Sequence, residues 1–183
     1  MASSRETSFV FIDMQLTGPF TDNDKIMEVC LMVSDKNFDG LELGPWIAIK
    51  IQDEILENLD KSLKNAHSHS GLLDACKDSN ITLETAEDTI VEFIDRIRER
   101  SDVTLVTVSE TAVNFLKRFM PKVKFCVGQI VVLSTIRELC RIWYPKEFSN
   151  YRSTRIGKRA IDHAKEYVNE MTYYKDSVFK GNS

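Results

Sequence analysis

Cysteine is sparse and scattered. Cys30, Cys76, Cys126 and Cys140 form no CxxC pair, and with three histidines in the chain no metal-ligand spacing emerges. That excludes a disulfide framework and argues against structural zinc. The thiols are expected to be reduced core residues in a reducing compartment. Glycine (7) and proline (4) are also few, which excludes a low-complexity or collagen-like chain. No apolar run approaches the ~18 residues of a membrane helix, so no membrane partner is expected. Residues 1–8 show neither an apolar signal core nor an Arg-rich amphipathic stretch, so a cytosolic or nuclear protein is expected. Positive charge is in short supply too. A net charge of −4 creates no global field for nucleic acid, and any such site must be local.

What is present is an ordinary globular composition, 183 residues with 43% hydrophobic and 28% charged. This is expected to make one domain over 1–183, with short disordered tails at about 1–7 and 178–183. Residues 9–12 (FVFI) form a β-rich run ending at Asp13, followed by runs at 26–34 and 43–51, which suggest an antiparallel meander. Residues 53–77 are helical in composition, broken at 68–71. From Thr82, a good N-cap, Leu83, Ala86, Ile90, Ile94 and Ile97 form one apolar stripe. A buried strand at 103–108 is followed by a helix capped by Ser109 and stopped by Pro121. A fifth strand is expected at 125–133, then a helix to Trp143, a loop at 146–157, and a last helix carrying Ile161, Ala164, Val168 and Met171. Early strands followed by alternating helices and strands predict an α/β domain with a mixed sheet.

Five collinear stretches resemble oligoribonuclease, a member of the DEDDh exonuclease family. They are 9–18 (FVFIDMQLTG), 67–87 (with HSHSGL and ITLETAE), 115–121 (FLKRFMP), 134–145 (STIRELCRIWYP) and 158–162 (KRAID). The resemblance spans about 8–180 and implies a ribonuclease-H-like α/β fold, a mixed five-stranded sheet flanked by helices. It also implies a chemistry in which four carboxylates hold two Mg²⁺ ions about 4 Å apart and a histidine takes a proton from the attacking water.

Against that pattern the chain departs at several positions. Asp13 is present, but Gln15 stands where the resemblance implies the second carboxylate. The third falls at Ala112, where neighbouring Thr111 and Val113 are no better and the nearest acid is Glu110. Lys158 stands at the histidine of the His-Arg-Ala-Leu-Asp motif, and Asp162 matches its aspartate. Lys158 is expected to sit against Asp13 and Asp162 in place of the metal charge. No cofactor is therefore expected beyond a weak single Mg²⁺ at Asp13 and Asp162. The groups implied to grip short RNA also differ, with Pro19 for a leucine wedge, Ser62 for a stacking tryptophan, Gly128-Gln129 for a tyrosine and arginine from the partner subunit, and Val132 for an aspartate. Base stacking of that type contributes ~1–3 kcal/mol per base. Ser70 and His67 remain as substrate-binding remnants.

These departures lead to the expectation of a catalytically inactive pseudo-exonuclease acting as a protein-interaction or scaffold subunit in an RNA-related setting. One alternative is a non-cleaving RNA-binding protein, using Arg152, Arg155 and Arg159 as phosphate contacts. A second is residual 3′–5′ exoribonuclease activity on short RNA, through rearranged acids such as Glu110 or Asp88. A protein partner is expected, with the family's homodimer as one form of it. Trp143 and Tyr144 are the interface candidates, though helical spacing with Ile136, Leu139 and Cys140 equally fits a core role for Trp143.

Overall fold

The computed structural model describes residues 5–153 and 157–179, apart from the Phe125 side chain. Five strands form one mixed sheet in the order β3-β2-β1-β4-β5. Strands β1 (Glu6–Leu16), β2 (Ile26–Asp35) and β3 (Glu42–Ala48) form the antiparallel meander, while β4 (Ser101–Thr107) and β5 (Gln129–Val132) run parallel to β1. β1 already begins at Glu6, inside the segment expected to be a disordered tail; Glu6 and Thr7 pair with Ser101 and Asp102.

Side-chain alternation on β1 sorts the molecule into layers. Val10, Ile12 and Met14 face a core built with Ala86, Ile90 and Ile94 of helix α4 (Leu83–Arg98) and with Phe115 and Leu116 of α5 (Glu110–Phe119). Phe11 faces the other way, with Cys30 and Met32 of β2, against Ala164, Tyr167, Val168 and Met171 of α9 (Ala160–Ser177). Asp13 and Gln15 continue that second series, so the same alternation that buries Phe11 points them toward α9.

The expected caps are in place. Thr82 accepts from the Thr85 N–H, Ser109 from the Ala112 N–H, and Arg96 and Arg98 close α4 at its negative end. Each fully buried isoleucine of α4 contributes on the order of 1.5–3 kcal/mol by leaving water.

Two expectations fail for one reason. Residues 125–133 are not one strand, because α6 (Pro121–Cys126) occupies the start and β5 is only Gln129–Val132. Residues 146–157 are not all loop either, since α8 spans Pro145–Asn150. Pro121 and Pro145 each sit in the first turn of a new helix, where the missing N–H costs nothing and the fixed φ is already helical. Each proline ends one helix and starts the next. The remaining helices are α1 (Asp53–Glu57), α2 (Lys61–His69) and α3 (Leu72–Asp78), the last two parted by Gly71 at φ 72°, and α7 (Leu133–Trp143). Among the described residues no helix is long and apolar enough to cross a membrane.

Candidate functional site

Asp13 lies beyond Phe11, the last β1 residue paired with β4. That places it toward the carboxyl end of the parallel strands, the end at which open α/β sheets bind ligands. Its carboxylate is 6% exposed. Three side chains converge on it. The Tyr167 hydroxyl donates to Asp13 Oδ1 at 2.5 Å. The Gln15 amide donates to Oδ2 at 3.0 Å, and His163 Nδ1 lies 3.4 Å from the same oxygen. Gln15 Nε2 and His163 Nδ1 are 3.5 Å apart. His163 and Tyr167 share one face of α9 because they are four residues apart on a helix.

This cluster differs from the expected one. Asp162 is turned toward its own helix terminus, where Oδ2 accepts the Arg159 N–H at 3.0 Å. The residue beside Asp13 is His163, which sequence reasoning passed over for its neighbour. Lys158 is exposed and, instead of sitting against Asp13, lines an open cavity of about 490 Å³ with Ser62, Asn65, Ala66, His69, Ser70 and Gly157. Ala112 is 2% exposed and belongs to the α4–α5 core. Neither alternative acid joins the cluster. Glu110 is exposed at the start of α5, and Asp88 is paired with Lys122 at 2.7 Å.

The substrate-binding remnants have structural tasks. His67 is 3% exposed, and its Nε2 meets the Leu16 carbonyl at 3.1 Å, bracing the end of the strand that carries Asp13. Its Nδ1 lacks a partner among the described residues. Desolvation lowers the His67 pKa from its usual 6.5. The unfolded chain therefore takes up this proton first on acidification. Stability is expected to fall as pH drops below about 6.5 and to level off below the folded value. Urea unfolding at pH 7.5 and 5.5 should show a smaller acid loss in His67→Gln than in the native chain; equal losses would remove His67 from the account. Ser70 closes α2 and donates to the His67 carbonyl.

The basic segment is equally committed. Arg159 Nε donates to Glu28 Oε1 at 2.8 Å, Nη2 pairs with the same oxygen, and Nη1 holds the Ser70 carbonyl at 3.2 Å. Its guanidinium stacks 5.2 Å from the Trp46 ring centre. Arg152 is exposed and donates to the Tyr151 carbonyl at 3.0 Å. Arg155 lies outside the described residues. Arg159 is thus a tether between β2, α9 and the α2–α3 junction, not a free phosphate contact. Gly128 and Gln129 sit at the amino end of β5, with Arg5 and Arg98 around an open cavity at the end of the sheet opposite Asp13.

Trp143 does not fill the core. It is 65% exposed, and Leu139, Ile142 and Tyr144 beside it are exposed as well. The four cysteines are unpaired. Burial raises the Cys30 thiol to about 12 and Cys76 to about 11, so both stay protonated and unreactive.

A two-ion centre needs more acid than this. Among the described residues no three His, Cys, Asp or Glu side chains converge. The donors that do meet are Asp13 Oδ2, His163 Nδ1 and the Gln15 amide, a set that fits a single divalent cation completed by substrate oxygens or water. The side chain beside Asp13 is His163, not the expected Asp162.

No protein-family model matches the chain. Curated relatives do. The human protein named "Oligoribonuclease, mitochondrial" is 33% identical over 176 residues, covering 93% of this chain and 73% of its own length. The Chromobacterium violaceum oligoribonuclease is 31% identical over 175 residues, covering 94% and 96%. Among solved structures, the nuclease domain of 3′hExo, a DEDDh family member bound to rAMP, superposes with a TM-score of 0.64 at 13% identity, covering 97% of this chain and 96% of that one. Exonuclease I superposes at 0.60 and 11% identity, covering 93% and 41%. The ribonuclease-H-like exonuclease fold is therefore as expected.

The expectation of a non-enzymatic pseudo-nuclease or scaffold is overturned by the same comparisons. The curated relatives carry the name of an enzyme, at identities that make them kin and not merely look-alikes. The expectation that the divalent cation has been lost falls with it, since exonuclease chemistry of the family these relatives belong to runs on divalent ions.

Proposed function

Because this chain belongs to the oligoribonuclease family, we propose that it is a 3′–5′ exoribonuclease acting on short RNA through the Asp13–His163 cluster. The observation that carries this reading is a buried Asp13 carboxylate at the carboxyl end of β1, with His163, Gln15 and Tyr167 all directed at it. A bound divalent ion would be held by Asp13, His163 and Gln15, and supplies an activated water and charge neutralisation at the scissile phosphate.

The chain's own groups do the rest. Tyr167 holds Asp13 Oδ1, while Gln15 and His163 meet Oδ2. Lys158, at the rim with Ser62 and Ser70, supplies a point charge for a phosphate. Pro19 and Ser62 offer no stacking surface, so the grip on RNA rests on phosphate contacts and should weaken steeply with salt. With one acidic ligand at the cluster, turnover should lie below that of a four-carboxylate centre.

The direct test incubates the purified chain with 5′-labelled di- to pentanucleotides and Mg²⁺, Mn²⁺ or Co²⁺. A ladder shortening one nucleotide at a time from the 3′ end supports the reading. Intact oligonucleotides under all three ions overturn it.

The exposed Leu139, Ile142, Trp143 and Tyr144 on and after α7 support a further part of this reading, a homodimer formed through that ridge. Light scattering after size exclusion should give a dimer mass for the native chain and a monomer for Trp143→Glu. A monomeric native chain at tens of micromolar concentration would remove the dimer. The unpaired cysteines support a reducing compartment, the cytosol or nucleus in this reading.

A further inference from the structure

A cavity of about 610 Å³ lies between β2, α1, α4 and α5. Its lining belongs mainly to the core layer of α4 and α5, whereas Asp13 faces α9 across the sheet. The floor is Ile26, the first residue of β2, and Ile49, both 2% exposed. The walls are Ile55 of α1, Leu83 at the start of α4 and Phe119 at the end of α5. Backbone and ring contacts hold these walls apart. The Ile49 N–H donates to the Met27 carbonyl and the Lys50 N–H to the Ile81 carbonyl, each at 2.8 Å, which lays 49–50 between β2 and the cap of α4. The Phe119 ring sits 4.4 Å from that of Phe115, fixing the opposite wall.

The charged groups of the cavity are few and of one sign. Lys25 and Lys50 are exposed at its rim, and no Asp or Glu lines it. The Lys50 ammonium rests on the Lys77 carbonyl, and among the described residues the Lys25 ammonium makes no ion pair. An apolar interior of about 300–1,000 Å³ with a few placed polar groups is the form that small-ligand sites take. A protein partner would need a broader surface, roughly 800 Å² on each side. The exposed large apolar side chains, such as Leu43 and Trp46 of β3 or Ile142 and Trp143 of α7, lie outside this cavity, so its apolar surface is concave and confined. We propose that the cavity binds a small amphipathic anion, a medium-chain carboxylate. Its alkyl body lies against Ile26, Leu83 and Phe119, and its carboxylate stays at the wet rim beside Lys25 and Lys50, where the charge is paired without being buried. A neutral ligand of the same shape gains nothing from the two ammonium groups, and a cation is repelled by them.

The test titrates the full chain with hexanoate, octanoate, decanoate, decanol and decyltrimethylammonium, all below their aggregation thresholds. Calorimetry gives affinity, and the methyl resonances of Ile26, Ile49, Ile55 and Leu83 report where the ligand sits. From hexanoate to decanoate each added methylene should tighten binding about 3–4-fold, the worth of one buried CH₂. Decanol should bind at least about 10-fold more weakly than decanoate, and decyltrimethylammonium more weakly still. Leu83→Glu places a like charge in the wall, at the first position of α4, where the helix dipole favours an acid and the fold should hold. Lys25→Glu reverses the charge at an exposed position. Each should weaken decanoate binding at least about 10-fold. No binding of decanoate at about 1 mM, where even a weak specific site would fill, overturns the proposal. So do equal affinities for the three ten-carbon compounds, decanoate binding unchanged in both variants, or methyl shifts confined to residues outside the cavity.

Discussion

Replacing Glu28 with alanine is expected to destabilise the protein by about 3–5 kcal/mol, the usual cost of stripping one partner from a buried ion pair. Glu28 is completely buried. It accepts from Trp46 Nε1 at 2.7 Å, from Arg159 Nε at 2.8 Å and from the Ala160 N–H at 2.8 Å, and pairs with Arg159 Nη2. Its carboxylate thus neutralises a cation and also satisfies the first N–H group of α9, where the helix dipole favours negative charge. Alanine leaves the Arg159 guanidinium, 21% exposed, without its charge partner. In a domain of this size each kcal/mol moves the melting temperature by about 2–4 °C, so thermal unfolding should show a drop of about 6–20 °C. Glu28→Gln keeps one acceptor and should fall between. A loss below about 1 kcal/mol would mean that solvent reaches Arg159 and α9 does not depend on this anchor.

Asp13→Asn should act in the opposite way on function and stability. Cleavage of short RNA is expected to fall by about 10³-fold or more, because the one carboxylate of the cluster is the group on which both charge balance and metal affinity rest. The melting temperature should hold or rise. The amide oxygen of the substituted side chain can still accept from Tyr167, and a neutral amide relieves the cost of a buried charge. Measured side by side, the two substitutions separate a site residue from a fold residue. Retained cleavage in Asp13→Asn would move the active centre elsewhere.

Much of this is legible in the chain itself. The β-rich apolar run at 9–12, the stripe from Leu83 to Ile97 and the caps Thr82 and Ser109 all identify their elements, because strand preference and helix period are local properties of the chain. The collinear motifs point to the fold family. The segments that escape a local reading are those where Pro121 and Pro145 open helices, since a proline's local preference suits both the end of one helix and the start of the next. The larger error lies in equating missing family carboxylates with a missing enzyme. Counting acids by position overlooks a histidine one residue along.

By itself the sequence determined that Asp13 and Gln15 share a face, since residues two apart on a strand must, and that the last helix carries an apolar stripe. Only the tertiary structure decided which α9 side chain meets Asp13. A shift of one residue on a helix rotates the side chain by about 100°, enough to exchange Asp162 for His163. It likewise decided that Arg159 is locked onto Glu28, 131 residues away, and that Trp143 faces outward. Contacts between distant segments depend on how helices roll and slide on the sheet, and that is settled by packing the whole core rather than by any local pattern.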